Sequence, residues 1–246
     1  MGRTANCFVT NLGTNDIAVF QSNGSYVGSF SVAGTWRLTL DNSQNLYVAA
    51  GSDVIAYNTS GMPLRTIANG FGDAIATTRR QELISVENGV VTIFDRKGQS
   101  IFSYTQDQQG LQFAGGSMAI DRRTLYYATG PKGAPSVIVK YKLADFVTGT
   151  PNELVSFPNH GAYNPTQIAV DSRKCVYVVG YANTNGRGAR TMIKMDPTGH
   201  IVLHISNLAF AYGVALDPAG NIYISENDNN DVKVFNSAGV LINTIQ

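Results

Sequence analysis

Residues 211–245, AYGVALDPAGNIYISENDNNDVKVFNSAGVLINTI, hold four short apolar–polar alternations: Gly213–Leu216, Asn221–Ser225, Asp231–Phe235 and Gly239–Ile245. Between them lie Asp-Pro-Ala-Gly, Glu-Asn-Asp-Asn-Asn and Asn-Ser-Ala-Gly, all of it turn chemistry. Period-two alternation punctuated by Gly, Asn and Asp predicts a four-stranded antiparallel meander. Such a sheet has two apolar faces and can bury neither alone, so it requires copies of itself.

The copies are present. The ends of the first strands read Leu40-Asp41, Thr77-Thr78, Ile120-Asp121, Val170-Asp171 and Leu216-Asp217, spaced 37, 43, 50 and 46 residues apart. That is the period of a propeller blade rather than of a solenoid. Second strands centre on Phe8, Tyr47, Tyr126, Tyr177 and Tyr223, with Ile84 in the third copy. Third strands end in Phe20, Tyr57, Phe94, Tyr141, Met195 and Phe235. A turn follows with Gly in fourth place in five copies, at Gly24, Gly61, Gly98, Gly199 and Gly239. Opened by Gln, Asn or Asp, it fits a type I turn with a left-handed residue. Small residues hold the middle of each first strand (Thr39, Ala76, Ala119, Ala169 and Ala215), as strands converging on an axis demand. No helical periodicity is visible, and Thr105–Gly115, Leu143–Asn152 and Gly180–Ala189 read as loop insertions.

Composition agrees with one all-β domain spanning 1–246, with blades near 6–30, 36–67, 73–104, 116–157, 166–205 and 212–245. Only 14% of residues are charged and the net charge is +1, so no global pull toward nucleic acid or a membrane surface is expected. No apolar run reaches the ~18 residues of a membrane helix, and Met1–Thr4 lacks the apolar run of a secretion signal. Few Lys and many Asn, Ser, Thr and Gly point to an exported or cell-surface protein. Cys7 and Cys175 fall in non-adjacent copies and are expected to be buried free thiols. Asn23-Gly-Ser and Asn58-Thr-Ser are glycosylation sequons, a pattern common by chance.

Gly213-Val-Ala-Leu-Asp217, Gly220-Asn-Ile-Tyr-Ile, Asn229/Asn230, Val232-Lys-Val-Phe235 and Gly239 together resemble the NHL-repeat consensus. Copies one, two and five match it less well, while three and four keep little beyond the period. The resemblance covers nearly the whole chain and implies a six-bladed β-propeller. It implies no single activity, because the family includes RNA binders, protein-interaction modules and sensor ectodomains, with lactonases and lyases among its relatives.

In such a fold, the loops from second to third strand and from blade to blade share one face, the top. The position two before the core of each first strand carries Trp36, Asp73, Gly116, Thr166 and Tyr212, flanked by Arg37 and Gln167. Blade-to-blade loops add Phe71, Phe113, Tyr163 and Phe210. The consensus keeps an aromatic there to wedge adjacent blades, which is the expectation for Phe71, Phe113 and Phe210. For Trp36 and Tyr212, in the mouth-facing register, ligand contact and packing stand as alternatives. The candidate ligand-binding residues are therefore Trp36, Arg37, Asp73, Thr166, Gln167 and Tyr212. A metal-dependent enzyme would need several carboxylates converging on the axis, and this register supplies only Asp73. Glu87-Asn88, Asn183/Asn185 and Glu226-Asn227-Asp228 are expected further out.

His200 and His204 have the spacing of a zinc helix, but on a strand four residues span ~13 Å, too far for one metal. His160 is the one histidine expected near the mouth. No nucleophile elbow, P-loop or dinucleotide fingerprint occurs. On the opposite face, Arg79, Arg80, Arg96, Lys97, Arg122, Arg123, Arg173 and Lys174 occupy hairpins of copies three to five, eight of the 18 basic residues. Either they attract an anionic partner, or they solvate exposed turns neutralised by Asp95, Asp121 and Asp171. No aromatics interleave with them, as single-stranded nucleic acid would require.

The expectation is a non-enzymatic scaffold that binds a protein or glycan through its top face, with no catalytic residue, metal or cofactor assigned. A metal-dependent lactonase or lyase is the alternative, and RNA binding a further one. Oligomeric state stays open. The repeat count also gives the first copy only three strands, Cys7–Thr10, Asp16–Phe20 and Tyr26–Phe30. The missing inner strand is expected from native sequence beyond either end or from a partner segment.

Overall fold

The structure, a computed structural model, describes residues 6–11, 13–67, 74–87, 89–105, 117–129, 137–150, 153–158, 163–182 and 190–246. The chain gathers into two compact units, Met1–Gln108 with Val147–Thr150, and Gln109–Phe146 with Pro151–Gln246. In the first unit, β1 (Asn6–Asn11), β2 (Asp16–Gln21) and β3 (Tyr26–Ser31) form a three-stranded sheet. The second sheet comprises β4 (Thr35–Leu40), β5 (Leu46–Ala50), β6 (Asp53–Tyr57) and β7 (Pro63–Ile67). The third comprises β8 (Ala74–Thr77), β9 (Leu83–Glu87), β10 (Val90–Phe94) and β11 (Ser100–Thr105).

The second unit repeats the plan. Its first sheet holds β12 (Ser117–Asp121), β13 (Thr124–Thr129), β14 (Val137–Lys142) and, after the helical turn α1 (Leu143–Phe146), β15 (Glu153–Pro158). Next come β16 (Tyr163–Val170), β17 (Val176–Ala182), β18 (Arg190–Met195) and β19 (Ile201–Ile205). The last sheet is β20 (Ala211–Leu216), β21 (Ile222–Glu226), β22 (Asp231–Phe235) and β23 (Leu241–Ile245). All six are antiparallel meanders in chain order, and the first has three strands among the described residues. Residues 1–5 lie outside that description.

Burial within a sheet follows the sequence pattern. Second strands such as β5 and β9 are buried on both faces and read as near-continuous apolar runs. Third strands β2 and β6 alternate, half-buried residues between buried ones. Fourth strands β7, β19 and β23 are mostly exposed and carry one buried residue at their ends. The apolar clusters lie between consecutive sheets. Ile17 and Val32 meet Leu46 and Val48, Tyr47 and Val54 meet Ile75 and Leu83, Tyr126 and Ile138 meet Val176 and Val178, and Val179 and Met192 meet Val214 and Ile224. Each sheet thus covers the face its neighbour cannot bury alone.

The outer turns explain their glycines. Gly61 sits at φ 80° and Gly239 at φ 82°, each donating its N–H to the residue that opens its turn. A Cβ on Gly61 would meet the Phe30 ring of the preceding sheet at 2.5 Å, and one on Gly239 would meet Leu203 at 2.8 Å. Left-handed backbone and close approach both exclude a side chain. The helical turn α1, which no periodicity announces, buries Phe146 completely, its ring 5.2 Å from that of Tyr141. Of the two free cysteines, Cys175 is buried and Cys7 half-buried, and burial raises both thiols, Cys7 to about 11.

Candidate binding end of the blades

In each sheet, the turns joining first to second and third to fourth strand share one end, the hairpin end. The start of the first strand shares the other end, the mouth end, with the connection from second to third. Among the described residues, three first strands begin with the same irregularity. Register shifts by one residue between Thr35 and Arg37 in β4, between Pro165 and Gln167 in β16, and between Ala211 and Gly213 in β20. Trp36, Thr166 and Tyr212 are therefore the extra residues of three equivalent β-bulges. A bulge bends the strand and re-aims the side chain it carries.

Thr166 and Gln167 are engaged between sheets. The Thr166 hydroxyl lies 3.2 Å from the Val179 carbonyl and 3.4 Å from that of Ala211. Gln167 Oε1 accepts the Val214 N–H at 3.2 Å, and a Cβ on Gly213 would strike it at 2.9 Å. The Gln167→Ala variant is expected to lose about 1–2 kcal/mol, because the Val214 N–H would be left without its acceptor. Urea unfolding measures this, and an unchanged midpoint would mean that water replaces the amide. Arg37 is half-buried. The side chain of Trp36 lies outside the described residues, as do Asp73, Gly116, Phe71, Phe113, His160 and the Tyr163 side chain.

Tyr212 is half-buried, its ring 6.2 Å from that of Phe210. Phe210 is held at φ 57°, a left-handed conformation that costs a bulky residue about 1–2 kcal/mol. Glu226 at the end of β21 holds it there. This carboxylate is buried, accepting the Ala209 N–H at 3.0 Å, Asn229 Nδ2 at 2.7 Å and Lys233 Nζ at 2.8 Å. The Asn227 N–H adds a bond to the Phe210 carbonyl at 3.0 Å. Burial alone would push the Glu226 carboxyl up, but the Lys233, Ala209 and Asn229 donors together hold it below its ordinary range. Its neighbour Asp231 is pushed up, by burial first and then by the Glu226 charge.

The hairpin ends carry a different recurrent unit. Asp41, Asp171 and Asp217 each close their own turn. Asp171 accepts the Arg173 and Cys175 N–H groups at 2.9 Å and the Tyr177 hydroxyl at 3.1 Å. Among the described residues a cation covers the tyrosine in three sheets: Arg65 on Tyr47 at 5.3 Å, Lys140 on Tyr126 at 5.5 Å and Lys194 on Tyr177 at 4.9 Å. The spacing Asp-x5-Tyr, at 41/47, 171/177 and 217/223, is the sequence signal for this unit. Arg79, Arg80, Arg96, Lys97, Arg122, Arg123, Arg173 and Lys174 are all exposed, each at the hairpin end of its own sheet. Asp95 accepts N–H groups of its own turn from Lys97 and Gln99, and these bonds, Gln99 first, hold its carboxyl low.

His200 lies in the turn before β19, its Nδ1 2.8 Å from Thr198 Oγ1, whereas His204 is on β19 opposite Ile193. Among the described residues no three His, Cys, Asp or Glu side chains gather where one metal ion could be held. Among the same residues no helix is long and apolar enough to cross a membrane.

No family model matches the chain, and no curated protein sequence does. Solved structures do. A protein of unknown function from Bacteroides caccae aligns over 98% of this chain and 93% of its own, with 12% identity and a TM-score of 0.66. A virginiamycin B lyase from Staphylococcus aureus aligns over 98% and 81%, with 11% identity and a TM-score of 0.62. A gluconolactonase from Xanthomonas campestris aligns over 96% and 81%, with 16% identity and a TM-score of 0.64. With the six antiparallel sheets, these likenesses establish an all-β, six-bladed propeller fold.

Proposed function

We propose that the chain is an NHL-like binding propeller that engages a protein or glycan at the mouth end of its blades. The observation that carries this is the bulged, half-buried Tyr212 beside Phe210 in a left-handed conformation. Strain of this kind persists only where the surroundings impose it, and it concentrates at ligand-contacting positions. Here buried Glu226 imposes it, so the two rings form a preorganised aromatic surface suited to a sugar face or an apolar peptide side chain. Trp36 holds the equivalent bulge position of β4, while Thr166 and Gln167 fix the strand next to Tyr212. Arg37, half-buried, follows that bulge in β4.

A panel of immobilised oligosaccharides and peptides tests the proposal. Saturable binding to at least one class is expected, weakened about 10-fold or more by Tyr212→Ala with the melting temperature within about 2 °C of the parent. Binding that Tyr212→Ala leaves intact would refute it. The rival, a metal-dependent lactonase or lyase on the same fold, predicts instead a saturable thermal shift with a divalent cation alone.

A further inference from the structure

We propose that the groove between the β16–β19 and β20–β23 sheets, at their hairpin end, is a binding site for a small oxyanion, a phosphate or carboxylate group. The groove has a volume of about 640 Å3, and Asp171, Arg173, Lys194, Leu216, Asp217 and Ser237 contribute to its walls. It lies at the opposite end of these strands from Tyr212, so this site goes beyond the function proposed above.

The repeat supplies an internal comparison. Lys140 pairs across the strands with Tyr126 as Lys194 does with Tyr177. Lys140 spends its charge on the next sheet, where Nζ donates to the Pro197 carbonyl at 2.7 Å. Pro197 is the second residue of the turn Asp196–Gly199, and its counterpart one sheet later is Ser237. Lys194 does not close the equivalent gap in that way. Its nearest carboxylate oxygen, Asp171 Oδ2, is 4.0 Å away, beyond hydrogen-bond reach. The gap that a lysine plugs between one pair of sheets is thus open between the next pair.

The distribution of unused hydrogen-bonding groups sets the ligand's sign. Asp171 is taken up by two backbone N–H groups and the Tyr177 hydroxyl. Asp217 is taken up by the Asn221 N–H and Nδ2 at 2.8 Å and by the Tyr223 hydroxyl at 3.3 Å. Both carboxylates therefore serve their own turns. Lys194 is engaged with Tyr177 and lies 4.0 Å from Asp171 Oδ2, but an ammonium has three N–H donors to distribute. Beside it on the groove wall stands the exposed Arg173 guanidinium, whose planar fork matches an oxyanion. The apolar wall at Leu216 leaves room for an organic remainder beyond the charged group.

Titration of inorganic phosphate, and separately of acetate, into isotopically labelled protein at constant ionic strength tests the site by amide chemical shifts. We expect saturable shifts with a Kd in the millimolar range, about 4 kcal/mol of binding. They should be confined to residues 170–173, 216–220 and 237, about 5-fold weaker in Arg173→Gln and absent in Arg173→Gln/Lys194→Met. Tighter binding of phosphate would identify a phosphorylated ligand, and equal or tighter binding of acetate a carboxylic acid. Absence of saturation by about 20 mM, the same shifts with chloride, or shifts unaffected in Arg173→Gln would overturn the proposal. The exposed Arg173→Gln change leaves the fold intact, so a null result cannot arise from unfolding, and Tyr212→Ala should leave these shifts unchanged.

Discussion

The Gly61→Ala variant is expected to be less stable by about 3 kcal/mol, combining a left-handed penalty of about 1–2 with an overpacking term of similar size. The first part follows from φ 80° at Gly61. The second follows from three Phe30 ring and Cβ atoms that would lie 2.5, 2.6 and 2.9 Å from the new methyl group. Phe30 belongs to β3 and Gly61 to the turn between β6 and β7, so the methyl group would push two sheets apart. Gly220 is the control. It has φ 85° and only the Ser237 Cβ nearby, at 3.9 Å, so Gly220→Ala should lose only about 1 kcal/mol. Urea unfolding of the two variants separates the terms. Equal losses would show that Phe30 yields freely and that the sheets are not tightly stacked there.

Replacing Glu226 with Ala should be about as damaging, costing about 3 kcal/mol, because it strands the half-buried Lys233 charge and the Ala209 N–H together. The loop carrying Phe210 would then relax toward an ordinary backbone conformation, and Tyr212 would lose its fixed neighbour. Glu226→Gln keeps an acceptor for the Ala209 N–H and should cost less. Acid should reveal the same carboxylate. Its folded pKa is depressed, so its contribution is present above the unfolded Glu value of about 4.3 and is lost as pH falls through the lower folded value. Melting temperatures measured from pH 5 to 3 should fall less steeply for Glu226→Gln than for the parent. Parallel curves would mean that Glu226 carries no such linkage.

Much of this architecture is legible in the chain because the signals are local. Period-two alternation marks β20–β23, and Asn-Ser-Ala-Gly at 236–239 marks the turn, since both depend on residues adjacent in sequence. The three strands of the first sheet among the described residues follow from counting the repeat. The bulges are not legible in this way. One extra residue in β20 leaves no mark on the sequence pattern, yet it takes Tyr212 out of the paired, alternating register. The bonds of Thr166 run to residues 13 and 45 positions away and that of Gln167 to one 47 away, so no short window around them contains their partners. Glu226 looks like a loop residue at a strand end. Its partners Asn229 and Lys233 become partners only because β21 and β22 fold back on each other. The helical turn at Leu143–Phe146 has too few residues to show a helical period.

Ligand binding at the mouth end of the blades is tested most directly by a footprint. The protein is titrated with whichever oligosaccharide or peptide the panel retains, and amide shifts are followed along the whole chain. Perturbations are expected to concentrate at residues 165–167 and 210–213 and to be lost in Tyr212→Ala. A footprint on the hairpin residues 171–174 and 217–220, with Tyr212 and Phe210 silent, would contradict it.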